Sequence, residues 1–347
     1  MKEEQLKYLE IDVSFCRGYY SKNFGLEYGK EYFENVAARA ETDQAAKRAL
    51  HERFGDLGLG DSDPKPIVQL GYDDTLNVTL AFGGELHLGA DVTWTTPVLH
   101  SAEDVDSLAV PEIESTWPHT HFLKKYEEAV SCVGAENIRP PKVHGILESA
   151  LDVRGDAFLE DLLLEPQRAE KLLDVLTDTV IATKEFWDRK CYGEVRSGLS
   201  MGGCSTTMLS PSTVEKFLVP RYSRISKHFG DAFLCSCGES TKNLEAFAMI
   251  EELRYARVGW GTDLKKAAQI LKERHVKASV DVVRASKLSP DEFEKDVRKV
   301  LTELEPVDNV SLLLINAATD TPDENVRRFI DIAREVADSY HIEPVVM

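Results

Sequence analysis

The chain has 347 residues, 43% of them hydrophobic and 29% charged, and a net charge of −19. That composition suits one large globular domain or two. So acidic a surface repels phosphate backbones, which argues against nucleic-acid binding, and no apolar run is long enough to span a membrane.

The N-terminal stretch MKEEQLKYLE is charged and lacks an apolar signal core, so a cytoplasmic location is expected. LEIDVSF (9–15) reads as a strand, residues 30–53 as a helix, and PIVQLGY (66–72) as a second strand. Residues 73–141 are irregular, and LAFGGELHLGADVTWTTP reads as an inserted hairpin or an active-site loop. From residue 142 onward, short apolar runs alternate with helical patterns. KVHGIL (142–147) reads as a strand ahead of a helix over 166–190, whose Ala169, Leu172, Leu173, Leu176 and Val180 form one stripe. EVRSGLS leads to a helix opened by Ser210 and Pro211, an N-cap and the residue suited to the first helical position. AFLCS precedes a helix from about Glu239, and YARVGW precedes TDLKKAAQIL. VKASVDVV precedes SPDEFEKDVRKVL, where Ser289 and Glu292 fit a capping box. NVSLLLI leads into TPDENVRRFIDIAREV, where Thr321 and Glu324 fit the same device around Pro322. Eight strands alternating with helices predict an α/β fold, a (β/α)8 TIM barrel. It would be a single domain over 1–347 with an elaborated N-terminal third, residues 73–141 forming the insertion.

Chemistry in such a barrel belongs at the C-terminal ends of the strands and in the loops after them. Cys16 and Arg17 follow the first strand, Asp73 and Asp74 follow the second, and His144 and Glu148 lie in and after VHGIL. Cys204 sits in SMGGCSTTMLSP, Cys235 and Cys237 in FLCSCGES, Asp281 ends KASVD, and Asn316 ends SLLLIN. Cys132 and Cys191 fall on helical patterns. Residues two apart at a strand end project to one side, so Cys235 and Cys237 can face a common point. Two such thiolates suit zinc, which in a catalytic site takes a third protein ligand and keeps one position open. Cys204, His144 and Glu148 are the candidates for that third ligand, and Cys204 is the thiol best placed. Taken alone, a Cys-x-Cys pair also fits buried cysteines acting as small hydrophobes. His144, inside an apolar run, also fits a core histidine. His119 and His121 in WPHTHF have a metal-compatible spacing, but they open a helical pattern, where a solvated helix start is the plainer reading. Arg17 fits either a fork on a substrate carboxylate or a surface salt bridge. The Asp73–Asp74 doublet fits a cap or turn as well as an acid.

VHGILESALDVRGDAFLEDLLLEPQRAEKLLDVLTD resembles a segment of the uroporphyrinogen decarboxylase superfamily that runs from a barrel strand through an RG–L–DL–P pattern into a long helix. GGCSTTMLSPSTVEKFLVPRYSRISKHFG resembles the unit after it. FLCSCGES stands at that superfamily's His-x-Cys-Gly element, and INAATDTPDENVRRFIDIARE resembles its closing unit. The likeness runs over residues 140–340 and is weak before them.

The resemblance implies two branches. Corrinoid-linked methyltransferases bind zinc through a His-x-Cys pair and a further Cys near the last strand. Here Cys235 stands at the His position and Cys237 at the Cys position, while Asn316, Ala317 and Ala318 stand where the late cysteine would be. The site is therefore rebuilt, with Cys204 or with Glu148 or His144, or lost. The decarboxylases use no cofactor and grip an acetate-bearing tetrapyrrole with arginines and an aspartate. FCRGYYSKNFG keeps Arg17 of that loop, Asp73 is the acidic candidate, and Lys22 is no bidentate substitute for a second arginine. The resemblance thus implies zinc-dependent methyl transfer between a corrinoid, free or on a corrinoid protein, and a thiol or other small acceptor. Cys235, Cys237 and Cys204 would hold the metal, and Arg17, His144, Glu148 and Asp73 would be the further site residues. Cofactor-free decarboxylation of the uroporphyrinogen type and a non-catalytic tetrapyrrole-binding barrel are the alternatives, and a homodimer is compatible with all three.

Overall fold

The computed structural model describes residues 8–73, 76–89, 92–304 and 310–347. Asp74 lies outside the described residues. The strands are β1 (Tyr8–Phe15), β2 (Val68–Gln69), β3 (Leu86–Leu88), β4 (Thr93–Thr95), β5 (Ile138–Arg139), β6 (Leu199–Gly202), β7 (Ala232–Cys235), β8 (Leu253–Val258), β9 (His275–Ser279), β10 (Val310–Ala317) and β11 (Glu343–Val346). Seven of them form one parallel ladder in the order β11-β1-β10-β9-β8-β7-β6. β2 and β5 pair in parallel beside it, and β3 and β4 form an antiparallel hairpin. Strands β1, β2 and β5 to β10 are the eight strands of a TIM barrel, and β11 is an addition on the flank of β1.

The third barrel strand lies at Ile138–Arg139, upstream of KVHGIL. Pro140 and Pro141 end its ladder, since proline has no N–H to donate. Residues 140–145 then run without regular structure into the helix Ile146–Arg154. This segment passes against β6 closely enough that a Cβ on Gly145 would lie 2.3 Å from the Gly202 carbonyl oxygen. Two glycines thus close the barrel where hydrogen bonds do not.

The helices follow most of their sequence signals. The helix expected over 30–53 breaks at Asn35, whose side chain caps a second helix Val36–Phe54. The one expected from about Glu239 starts as a 3-10 turn at Thr241 and is helical only over Leu244–Ala248. The stripe from Ala169 to Val180 is buried along the helix Pro166–Tyr192. Ser210 accepts from the Thr213 amide at 3.1 Å, and the Ser289–Glu292 capping box forms. Thr321 does not cap: it is 4% exposed, and the last long helix starts at Asp323 after Pro322.

Along β1, Leu9, Ile11 and Val13 are buried among the apolar residues of the main core, while Glu10 and Asp12 alternate onto the face toward the barrel axis. That axis is polar. Lys277 is ion-paired with Glu10 and lies 5.8 Å from the Phe233 ring centroid and 5.5 Å from that of Tyr255. Arg257 Nε donates to Ser279 Oγ at 2.9 Å. Burial, ahead of the pull of Lys277, raises the Asp12 carboxyl above its ordinary range. Barrel axes usually hold layers of branched apolar side chains.

His119 is no solvated helix start. It is fully buried, and its Nδ1 accepts from Trp187 Nε1 at 3.0 Å, because its helix packs against the long helix that carries Trp187. His121 instead reaches Glu34 at 3.1 Å. Burial holds the His119 imidazole down to about 4. With the folded value below the unfolded one, the contribution of the neutral ring is complete above about pH 6.5 and is lost as pH falls toward about 4. This residue alone should remove about 2 kcal/mol of stability between about pH 7 and about pH 5. His119→Asn, which keeps an acceptor, should lose that part of the slope in denaturant titrations at the two pH values.

Candidate metal centre

Gly202 of β6 pairs with Cys235 of β7, so the two chains leave the sheet side by side. The Gly203 amide then donates to the Cys235 carbonyl at 2.8 Å, and the Tyr222 hydroxyl donates to the Gly202 carbonyl. The 3-10 turn Cys204–Met208 begins at once and carries Cys204 over the end of β7. From Cys235 the chain continues past Ser236, whose amide donates to the Arg257 carbonyl at 3.1 Å, to Cys237.

The three sulfurs converge. Cys204 Sγ lies 2.7 Å from Cys237 Sγ, Cys235 Sγ lies 3.8 Å from Cys237 Sγ, and all three fall within 4.8 Å of one another. Cys235 is buried, Cys204 half-buried and Cys237 exposed, so the cluster opens toward the barrel mouth. Two sulfurs on a tetrahedral zinc with bonds of about 2.3 Å sit about 3.8 Å apart. The Cys235–Cys237 spacing matches that edge, and the Cys204–Cys237 pair would open by about 1 Å to match it. Hydrogen bonds from Cys204 and Cys235 hold the Cys237 thiol far below its ordinary range, while contacts with the other two sulfurs push Cys204 up. Three thiol donors on one point suit a soft-tolerant divalent ion, zinc above all. Among the described residues, this is the one group of three or more metal-ligating side chains found that close together.

His144 and Glu148 flank the cluster without joining it. Both press on Gly202: a Cβ there would meet His144 Cδ2 at 2.6 Å and Glu148 Oε2 at 2.8 Å. Glu148 Oε1 accepts from the Ser205 amide at 3.0 Å, one residue past Cys204. Glu148 Oε2 and His144 Nδ1 are buried with no hydrogen-bond partner.

The other singled-out residues lie apart. Arg17 is ion-paired with Asp73, and Asp73 also accepts from the Thr93 hydroxyl and, at 3.2 Å, the Thr93 amide, which ties the hairpin β3–β4 down. Cys16 Sγ contacts Thr319 Oγ1 at 3.6 Å. Asp281 caps the helix Val282–Lys287 through the Val283 and Arg284 amides. Asn316 holds a left-handed backbone, φ 56°, near the end of β10. Cys132 is exposed, and burial pushes the Cys191 thiol up to about 12.

Sequence reasoning missed Arg257. Its Nη1 donates to Cys235 Sγ at 3.5 Å from the position opposite Cys235 in the β7–β8 ladder. A signal was present: in YARV, Tyr255 and Arg257 alternate with Ala256 and Val258, a period that puts the arginine on the axis side.

A family model described as uroporphyrinogen decarboxylase (URO-D) matches residues 72–336. No curated protein sequence matches the chain. Among solved structures, a methyltransferase from Methanosarcina mazei superposes with a TM-score of 0.64 at 16% identity, covering 96% of this chain and 94% of that one. A B12-independent methionine synthase from Shewanella sp. W3-18-1, solved with selenomethionine, gives 0.46 at 11% identity over 87% of this chain and 88% of that one. At such identities the first likeness speaks for the fold, and the family match speaks for descent. No helix among the described residues is long and apolar enough to cross a membrane. The chain belongs to the uroporphyrinogen decarboxylase family.

Proposed function

We propose that the protein is a zinc-dependent methyltransferase moving a methyl group between a corrinoid, free or carried by a corrinoid protein, and a thiol or other small acceptor. One observation carries this reading: three sulfurs from two adjacent strand ends meet within 4.8 Å at the mouth of the barrel. A cluster of this kind is costly to keep as packing, since thiols are reactive and one of these is exposed. The fold likeness to a solved methyltransferase is consistent with it.

Cys204, Cys235 and Cys237 would hold the ion. Zinc so held would supply the Lewis acidity that keeps an acceptor thiol in its thiolate form at neutral pH. The remaining work falls to the chain. His144 and Glu148 offer buried polar atoms without partners beside the cluster. They are the groups placed to take the proton that an incoming thiol gives up, or to hydrogen-bond the acceptor. The buried end of β7 keeps water from the Cys235 side, while exposed Cys237 marks the side from which reactants enter. Arg17, on which a decarboxylase reading would rest, is ion-paired with Asp73 and keeps its Nη1 without a partner, while Asp73 is also held by the Thr93 hydroxyl.

Purified protein should carry about one zinc per chain by elemental analysis, and Cys237→Ser should lose most of it. Metal-free protein that turns over uroporphyrinogen would select decarboxylation instead, and metal-free protein that only binds a corrinoid or porphyrin would select the non-catalytic barrel.

The backbone around Cys237 gives a second expectation. A Cβ on Gly259 would come within 1.9 Å of the Cys237 carbonyl oxygen, a clash with backbone that no rotamer relieves. Gly259→Ala should therefore move the Cys237 segment and weaken zinc by about tenfold or more, read by chelator competition on protein whose circular dichroism is unchanged.

A further inference from the structure

Among the described residues, Arg257 is the cation with a hydrogen bond to the sulfur cluster. Its Nη1 donates to Cys235 Sγ at 3.5 Å, and its Nε is anchored on Ser279 Oγ at 2.9 Å. Strand register fixes both contacts, because Arg257 stands opposite Cys235 on β7 and opposite Lys277 on β9. The guanidinium is thus held by two neighbouring strands before any ion arrives.

Any site that handles an electrophilic methyl group faces a chemical hazard. Its own thiolates are nucleophiles. A resident sulfur that attacks the methyl forms an S–CH3 bond, and the donor leaves with the electron pair of the broken bond. The ligand becomes a neutral thioether, a poor holder of zinc. Three thiolates also carry one negative charge more than a divalent ion neutralises, which raises the electron density on each sulfur. A charge-assisted hydrogen bond draws density from the sulfur that accepts it and lowers its nucleophilicity.

We propose that Arg257 is a positioning residue that balances the excess charge of the cluster and protects Cys235 from alkylation. This inference rests on the zinc reading. The guanidinium fits the task better than an ammonium would, because one planar fork reaches the sulfur and its own anchor together. The protection is selective. Cys235, buried and hydrogen-bonded, becomes the quiet ligand of the set, and reactivity is left on the exposed side of the cluster, at Cys237.

The test is site-resolved alkylation. Zinc-loaded wild type, Arg257→Met and Arg257→Lys are treated with iodomethane at saturating zinc and without corrinoid, and methylation of each cysteine is followed by peptide mass spectrometry. Iodide leaves with the electron pair as each S–CH3 bond forms. In the wild type, Cys235 should be methylated more slowly than Cys237. In Arg257→Met its rate should rise roughly tenfold, the rate equivalent of one charge-assisted hydrogen bond. Arg257→Lys should restore part of the protection. Ser279→Ala, which removes only the anchor, should raise the Cys235 rate in the same direction by less, and it carries the test if Arg257→Met does not fold. Unchanged rates at Cys235 in zinc-loaded variants would overturn the inference and leave the zinc reading standing. A wild type that takes up no zinc would overturn both, and the zinc content measured before alkylation separates the two failures.

Discussion

The parallel pairing of β6 with β7, in a register that sets Gly202 opposite Cys235, is the constraint on which the candidate site depends. A slip of one residue would turn Cys235 toward the helices and leave Cys204 with nothing to meet. The register is held from three directions. The Gly203 amide is bonded to the Cys235 carbonyl, the Tyr222 hydroxyl to the Gly202 carbonyl, and the closing segment presses on Gly202 through Gly145. Each of those glycines sits where a side chain would strike a neighbour at well under van der Waals distance. The seam at which the barrel closes and the place at which the sulfurs gather are the same few residues.

Beneath the cluster the barrel axis is ionic where most barrels are apolar. Glu10 and Lys277 pair on the axis, with only 11% and 17% of their side chains exposed. Breaking a pair held that deeply strands a charge, at a cost of about 3–5 kcal/mol. The pair is better understood as a fixed electrostatic floor than as a source of stability, since burying two ions roughly cancels their attraction. Arg257 belongs to the same floor, one strand over, and is the member that reaches up to a sulfur.

Much of this was legible in the sequence, because the signals involved are local. The alternation of apolar runs with capped helices gave the barrel, and strand-end position picked out Cys204, Cys235 and Cys237 before their distances were known. What stayed hidden depends on packing between distant segments. The third strand moved upstream because two prolines end it, a feature that KVHGIL outweighs in any reading by hydrophobicity. His119 looked solvated because it opens a helical pattern, whereas Trp187, 68 positions away, buries it. For Arg17 a substrate carboxylate and a salt bridge read alike in the sequence, because nothing local shows that it finds Asp73 across 56 residues.

The exchange of residues within the cluster ties these observations together. In the methyltransferases that the sequence resembles, a neutral imidazole stands where this chain has Cys235, and the third ligand comes from the last strand. Here the last strand offers Asn316 and fully buried Ala317, and the third sulfur comes from β6. As a thiolate ligand of the proposed ion, Cys235 would add an anion in a buried position, and a buried anion requires a partner. Arg257, directly across the ladder, would be that partner. A third ligand at Cys204 would gather all the donors on one side of the mouth and leave the opposite rim, where Ser14, Cys16 and Thr319 lie, without a part in holding the ion. If the ion binds as proposed, the site would be rearranged in both charge and position and compensated in each, as a rebuilt centre requires.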